Sequence, residues 1–186
     1  MYNDASCSSN LNIVINIDSQ TMLVYYKNVV ERQFKISTSR NGIGNVIDSY
    51  KTPLGKHSIC EKIGEFAPIY TIFKSRQNTG NVCKALNTPM NDHEDLILTR
   101  ILRLQGEEPG LNSGYTIDSK CIDSYDRCIY IHGTNREDLL SIPASNGCIR
   151  MANLDIIELF SKVNIGTIVD IQSSSSTLAD KTYIIG

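Results

Sequence analysis

Apolar and polar residues alternate near the start of the chain, where every second position from 11 to 17 is leucine or isoleucine. A period of two predicts a strand with one buried face. Two further runs rich in β-branched and aromatic residues, 21–27 and 29–38, follow the turn residues Ser19, Gln20 and Asn28. Such close spacing predicts a meander of short antiparallel strands.

Later segments predict further strands and one helix. Short apolar runs predict strands at 56–60, 96–104, 128–132 and 167–171. After Met151 the apolar spacing becomes helical, with Asn153 as the predicted N-cap. The apolar stripe of this helix is predicted to be Leu154, Ile157, Phe160 and Val163.

Three segments are predicted to lack regular secondary structure, and Gly133 is predicted to end a strand. T-P-L-G at 52–55 predicts a tight turn, and 107–124, with its proline and glycines, predicts a loop. Residues 74–95 are polar and predict a loop or lid beside a site. Gly133 is predicted to turn the chain after His132, which would end the strand at 128–132.

Composition bounds the class of protein. The 186 residues are 41% hydrophobic and 20% charged, with a net charge of −2, which is typical of one β-rich globular domain. The chain has no surplus of basic residues, so its charge does not indicate nucleic-acid binding. The amino terminus lacks a signal sequence and no stretch is long and apolar enough to span a bilayer. We therefore expect a cytoplasmic protein, or a periplasmic one if an export signal was removed.

The cysteines predict reduced thiols rather than a disulfide framework or a metal centre. Six are present, with no C-x-x-C pair and no zinc-type spacing to the three histidines. We expect no metal and no cofactor. The six cysteines are Cys7, Cys60, Cys83, Cys121, Cys128 and Cys148.

Two short motifs carry candidate chemistry. H-G-T-N begins at His132, and S-N-G-C-I-R-M at 145–151 places Cys148 only 16 positions further on. A thiol becomes a strong nucleophile as thiolate, and a neighbouring imidazole is the usual means of removing its proton. The pair therefore predicts acyl transfer through a thioester.

Neighbouring residues suggest supporting roles. Gly147 leaves room for backbone N–H groups to hold an oxyanion, Arg150 offers electrostatic support, and the Gly133 carbonyl can orient the imidazole. Thr134 and Ser145 fit a role as turn residues better than a functional one. Substrate contacts are nonetheless assigned to Tyr130, Thr134, Ser145 and Asn146.

These residues resemble the L,D-transpeptidase catalytic-domain family (YkuD-like), whose motif joins His-Gly-Thr to Ser-x-Gly-Cys-Ile/Val-Arg. The match covers 132–135 and 145–155 and extends weakly to T-P-L-G. The resemblance implies a single-domain β-sandwich or flattened barrel with one or two short helices. It places a tail at 1–10, the catalytic domain at 11–172 and a second tail at 173–186.

The resemblance also implies an activity. It implies a bacterial enzyme that attacks the bond between meso-diaminopimelate and D-alanine in peptidoglycan (murein) stems, and that is acylated by carbapenems. Cys148 would be the nucleophile and His132 the general base and acid. Asn146 departs from the pattern, because many members carry histidine there, which affects local hydrogen bonding rather than the nucleophile.

The fate of the thioester separates two activities. Water gives an L,D-carboxypeptidase, and an amine gives an L,D-transpeptidase. The absent export signal and a likeness to signal-less cytosolic carboxypeptidases favour hydrolysis. A catalytically idle wall-binding domain and a thiol redox or metal protein are the alternatives, and the sequence predicts no oligomeric state.

Overall fold

The computed structural model describes residues 11–87 and 95–174, which form ten strands, one α-helix and one turn of 3₁₀ helix at Glu137–Leu139. The mainly β class is therefore confirmed. The strands are β1 Leu11–Asn16, β2 Thr21–Tyr26, β3 Val29–Ser37, β4 Gly55–Ile63, β5 Thr71–Lys74, β6 Gln77–Val82, β7 Ile97–Gly106, β8 Tyr130–Thr134, β9 Ile149–Met151 and β10 Ile168–Gln172; the helix is α1 Asn153–Lys162.

All ten strands belong to one sheet that closes on itself. Their order is β4-β10-β1-β2-β3-β9-β8-β7-β5-β6, and β4 also pairs with β7. Eight strands thus form a ring, and the β5–β6 hairpin extends from β7. Pairing is antiparallel except between β1 and β10 and between β8 and β9. This closed sheet fits the expected flattened barrel.

The amino-terminal meander forms as predicted. β1 pairs with β2, and β2 with β3, all antiparallel. Leu11, Ile13 and Ile15 of β1 are buried, while the residues between them are exposed or half-buried. The alternation that predicts the strand therefore also identifies its core-facing side.

Two apolar clusters lie on opposite faces of the central strands. The main core contains Ile131 and Ile149 from β8 and β9, together with side chains of β1 and α1. A smaller cluster is built from Phe73, Ile101 and Tyr130. β8 and β9 are therefore covered on both faces, which explains their burial.

The helix forms where predicted but differs in phase. Ala152 is the N-cap and Asn153 is already the first helical residue. The buried apolar side chains are Ile156, Leu159 and Phe160, followed by Val163 just past the end, whereas Leu154 is 69% exposed. The prediction of Leu154 in the apolar stripe was wrong.

Three local predictions are corrected. Thr52 forms an isolated bridge with Ile43, and Gly55 already opens β4, so 52–55 is extended rather than a tight turn. Residues 71–82 form the β5–β6 hairpin, so the start of the predicted loop at 74–95 is regular structure. The part at 88–94 lies outside the described residues. Gly133 continues β8 instead of turning the chain.

Candidate active site

His132 lies on the side of β8 that faces the smaller apolar cluster. Side chains alternate along a strand, so His132 shares a face with Tyr130, while Ile131 enters the main core. The imidazole is only 1% exposed. The sequence places it there because apolar residues flank it in a strand that is buried on both sides.

Cys148 reaches the same face from the neighbouring strand. β9 runs parallel to β8, with Ile131 opposite Ile149 and His132 opposite Arg150. Cys148 immediately precedes β9 and packs on the cluster that contains Tyr130. The two motif residues therefore lie one diagonal step apart on one face of adjoining strands.

A backbone carbonyl fixes the tautomer of His132. Its Nδ1 atom lies 2.8 Å from the carbonyl oxygen of Gly133. Because a carbonyl only accepts, Nδ1 carries the hydrogen, and in the neutral ring Nε2 keeps its lone pair. Burial lowers the pKa of His132, an effect that Asp95 opposes and Arg150 reinforces. The imidazole is thus neutral at neutral pH and can accept a proton at Nε2.

The Cys148 thiol is protonated and directed to a backbone carbonyl. Its Sγ donates to the Cys128 carbonyl oxygen at 3.5 Å, and among the described residues no hydrogen bond joins it to His132. Burial raises the pKa of Cys148 to about 12, although a hydrogen bond from the Tyr130 backbone lowers it. The residue is nevertheless partly exposed. Its resting form is therefore a neutral thiol.

The turn before the cysteine is held by three hydrogen bonds. Ser145 Oγ donates to the Cys148 carbonyl at 2.6 Å and accepts from the Gly147 N–H at 3.2 Å. Thr52 Oγ1 donates to the Gly147 carbonyl at 2.9 Å. Gly147 has φ +125°, which a side chain would strain. The Gly147 N–H assigned to an oxyanion thus already has a partner, and Thr52 joins the T-P-L-G segment to the motif.

Arg150 is paired with an acid that sequence reasoning did not single out. Its Nη2 lies 2.5 Å from Asp95 Oδ2, and the Arg150 side chain is 3% exposed. Within the described residues, Asp95 Oδ1 and Arg150 Nε are buried without a hydrogen-bond partner. Asp95 raises the pKa of both His132 and Cys148, and Arg150 lowers both. The two charges of the ion pair therefore act in opposite directions on both motif residues.

The four residues assigned to substrate contact differ in accessibility. Thr134 and Ser145 are fully buried and bond to backbone groups. Tyr130 is 5% exposed, and its hydroxyl accepts a hydrogen bond from Arg76 at 3.0 Å. Burial raises the pKa of Tyr130 to about 12. Asn146 is exposed, and its Oδ1 accepts from Arg40 at 3.2 Å.

A cleft of about 250 Å³ is lined by Cys148, whereas His132 is not part of its lining. Asn146 and Cys148 of the motif line it, together with residues of the 47–50 segment. Residues that sequence reasoning did not single out complete the lining, because they come from segments far from the motif. The lining is Ile47, Asp48, Tyr50, Asp126, Arg127, Cys128, Ile129, Asn146 and Cys148.

Of the other cysteines and histidines that the structure describes, Cys128 alone lines the cleft. The five cysteines in the part of the chain that the structure describes are unpaired. Over residues 11–87 and 95–174, no three His, Cys, Asp or Glu side chains cluster as metal ligands would. His57 is buried between the Gly55 carbonyl and the Ser124 hydroxyl. None of the helices described here is long and apolar enough to cross a bilayer.

Comparison with known proteins gives a direct family match. The family model for the L,D-transpeptidase catalytic domain (YkuD) matches residues 11–171. A curated relative, the putative L,D-transpeptidase YqjB of Bacillus subtilis (strain 168), is 46% identical over 50 residues. That alignment covers 27% of this chain and 27% of the relative.

Solved structures share the fold at low sequence identity. An L,D-transpeptidase from Mycobacterium smegmatis is 16% identical, with a TM-score of 0.51 over 88% of this chain and 58% of its own. L,D-transpeptidase 3 from Mycobacterium tuberculosis, in complex with a faropenem-derived adduct, is 17% identical, with a TM-score of 0.52 over 88% and 60%. This chain therefore spans about three-fifths of the length of those solved structures. Since the family model covers most of the sequence, the chain belongs to the L,D-transpeptidase catalytic-domain family.

Proposed function

We propose that this protein is a cysteine enzyme that acts on peptidoglycan stem tetrapeptides at the bond between meso-diaminopimelate and the terminal D-alanine. The observation that carries this proposal is that His132 and Cys148 share one face of paired parallel strands, and that Cys148 also lines a cleft. Family membership supports the choice of substrate.

The first half-reaction forms a thioester. The Cys148 side chain turns from the Cys128 carbonyl towards His132 Nε2, and the thiol proton passes to that nitrogen as the sulfur attacks the carbonyl carbon. The tetrahedral intermediate collapses, the C–N bond breaks, and the imidazolium returns the proton to the leaving amine of D-alanine. The Cys148 backbone N–H holds the oxyanion in this proposal, since the Gly147 N–H bonds to Ser145 Oγ.

The pKa shifts of Cys148 and His132 favour a mechanism in which proton transfer and attack are coupled. Burial raises the pKa of Cys148 and lowers that of His132, so a resting thiolate–imidazolium pair is disfavoured. Charge develops only when a substrate carbonyl is present to receive it. The Gly133 carbonyl then stabilises the imidazolium through Nδ1–H.

We propose that water resolves the thioester, which makes the enzyme an L,D-carboxypeptidase. The likeness of the T-P-L-G, L-T-R and Y-I-H-G-T segments to carboxypeptidases of the family supports this choice. Transpeptidation, in which an amine resolves the same thioester, is the alternative. Digestion of tetrapeptide with and without an added amine acceptor, read by mass spectrometry, gives tripeptide alone for hydrolysis and a joined product for transpeptidation.

The activity itself is tested by release of D-alanine from disaccharide tetrapeptide. We expect wild-type protein to release D-alanine and Cys148→Ala to release none, because the nucleophilic thiol is lost. Cys60→Ala is the matched control, since Cys60 lies on β4 and does not line the cleft. An unchanged rate in Cys148→Ala removes this residue from the mechanism. Stem binding without any acyl adduct on carbapenem treatment would instead identify an idle binding domain.

A further inference from the structure

Arg127 lies in the wall of the cleft that contains Cys148. Its Nη2 donates to the Lys51 carbonyl at 2.8 Å and its Nη1 to the Gly44 carbonyl at 3.3 Å. A guanidinium has five N–H donors in a rigid plane, so these two contacts fix its orientation and leave other donors for a ligand.

The charge of Arg127 has no acidic partner among the described residues. Its hydrogen-bond acceptors are neutral carbonyls, whereas two other largely buried arginines have carboxylates, Arg103 with Glu61 and Arg150 with Asp95. Burial lowers the pKa of Arg127, and the nearby Cys121 and Cys148 sulfurs act in the opposite direction. An arginine stays charged in proteins. A partly desolvated cation of this kind is stabilised when an anion enters beside it.

We propose that Arg127 binds a carboxylate of the stem peptide and thereby positions the scissile bond at Cys148. This inference rests on the proposed function. The two residues joined by that bond each carry a free carboxylate, one at the terminus of D-alanine and one at the end of the diaminopimelate side chain. Both have the chemistry that a planar guanidinium recognises through paired hydrogen bonds.

Two acidic residues in the same cleft add selectivity for the charge of the ligand. Asp48 and Asp126 also line it, and neither forms an ion pair with Arg127 in the residues described. Their negative charge disfavours ligands that carry only anionic groups. A carboxylate accompanied by an ammonium group, as at the side-chain end of diaminopimelate, meets both signs of charge in the cleft.

The test compares three peptides: the free tetrapeptide, one amidated at the terminal carboxyl and one amidated at the diaminopimelate carboxyl. Wild-type protein is expected to lose about tenfold or more in kcat/KM on one of the two amides, mainly through KM. Arg127→Gln is expected to lose the same factor on the free tetrapeptide and to become indifferent to that amidation. Arg127→Lys should recover part of the preference, because it keeps the charge without the fork. The amide that is discriminated identifies which carboxylate is bound.

A purely structural role for Arg127 gives a different pattern. Since Arg127 also holds the Gly44 and Lys51 carbonyls, loss of that contact would lower activity equally on all three peptides, and this result overturns the inference. Arg32→Gln is the matched control, because Arg32 is a surface arginine paired with Glu158. Thermal denaturation of each variant reports any loss of folding.

Binding to Cys148→Ala separates this inference from the proposed function. Calorimetry on that variant measures affinity for the three peptides without turnover. Carboxylate-dependent binding in a wild-type protein that cleaves none of them contradicts the proposed function alone. Cleavage by wild-type protein with no preference among the three contradicts the role of Arg127 alone.

Discussion

The protonation of two side chains decides how the site works at the scale of single residues. Desolvation is the largest effect on the pKa of both Cys148 and His132, and it favours the neutral form of each. A neutral pair is unreactive towards small electrophiles but keeps a base at Nε2 for the moment of attack. The thiol is thus expected to react with a bound substrate and to react slowly with small electrophiles.

Alkylation of Cys148 by iodoacetamide should therefore be slow at neutral pH. With the pKa of Cys148 raised to about 12, the thiolate fraction and the rate should climb through the alkaline range without a plateau near pH 7. Peptide mapping by mass spectrometry measures the rate at Cys148 against the other cysteines of the same protein. A plateau at neutral pH would show a preformed thiolate–imidazolium pair instead.

The buried histidines predict a loss of stability in mild acid. Burial lowers the pKa of His57 from 6.5 to about 4. Below pH 6.5, His57 therefore binds a proton in the unfolded chain but not in the native protein. The contribution of His57 to the free energy of unfolding is fully present above pH 6.5. It falls by up to about 1.4 kcal/mol per pH unit as the pH drops towards 4. His132 acts in the same direction.

Denaturant unfolding at several pH values measures this slope, and NMR titration of the ring protons assigns it. His57 should stay neutral down to about pH 4 in the folded protein. Titration of His57 near 6.5 in the native state contradicts the account. The paired carboxylate of Asp118 contributes outside this window, because its pKa is lowered from 3.8 to about 2.

The sequence predicts the motif residues but not their partners. His132, Gly133, Cys148 and Arg150 are recognisable because they stand together in two short runs. Asp95 and Arg127 come from other segments, and only the pairing of strands places them near the sulfur. No local pattern marks an acid or an arginine in a loop as a partner of a distant site.

At the scale of elements, β8 positions the imidazole through a close approach at Gly133. A Cβ there would lie 2.5 Å from Asn153 Oδ1 and 2.8 Å from the Leu98 carbonyl. Asn153 also donates to the Thr134 carbonyl at 2.7 Å, so it ties α1 to the end of β8. The glycine is required by packing, not by a turn.

Gly133→Ala should therefore destabilise the protein by about 1 to 3 kcal/mol or more, because overpacking forces strand or helix to shift. Thermal or denaturant unfolding measures the change. Gly80→Ala serves as control, since Gly80 has open space around it and its positive φ costs only about 1 to 2 kcal/mol. A smaller loss in Gly133→Ala than in the control contradicts the close approach.

Elements with a buried face were predictable, and those without one were not. β1 and β7 carry apolar runs that reveal them, whereas every residue of β6 is exposed, so its sequence Q-N-T-G-N-V has no apolar period. The phase of α1 was misjudged because a ten-residue helix fits two apolar stripes that share Phe160. Packing against the main core selects the stripe with Ile156 and Leu159.

At the scale of the whole molecule, closure of the sheet assembles the site. β8 and β9 pair directly with each other, and β3 flanks β9 on one side while β7 flanks β8 on the other. The sequence predicts a β-rich domain, and the family resemblance supplies the barrel. The pairing order and the two parallel contacts join segments that are far apart along the chain, which periodicity does not encode.

Trapping the acyl-enzyme on disaccharide tetrapeptide tests the central claim most directly. Protein quenched in acid during turnover should gain the mass of the disaccharide tripeptide acyl group, and fragmentation should place it on Cys148, while D-alanine appears in solution. Release of D-alanine with Cys148 unmodified, or an adduct on another residue, would contradict the account.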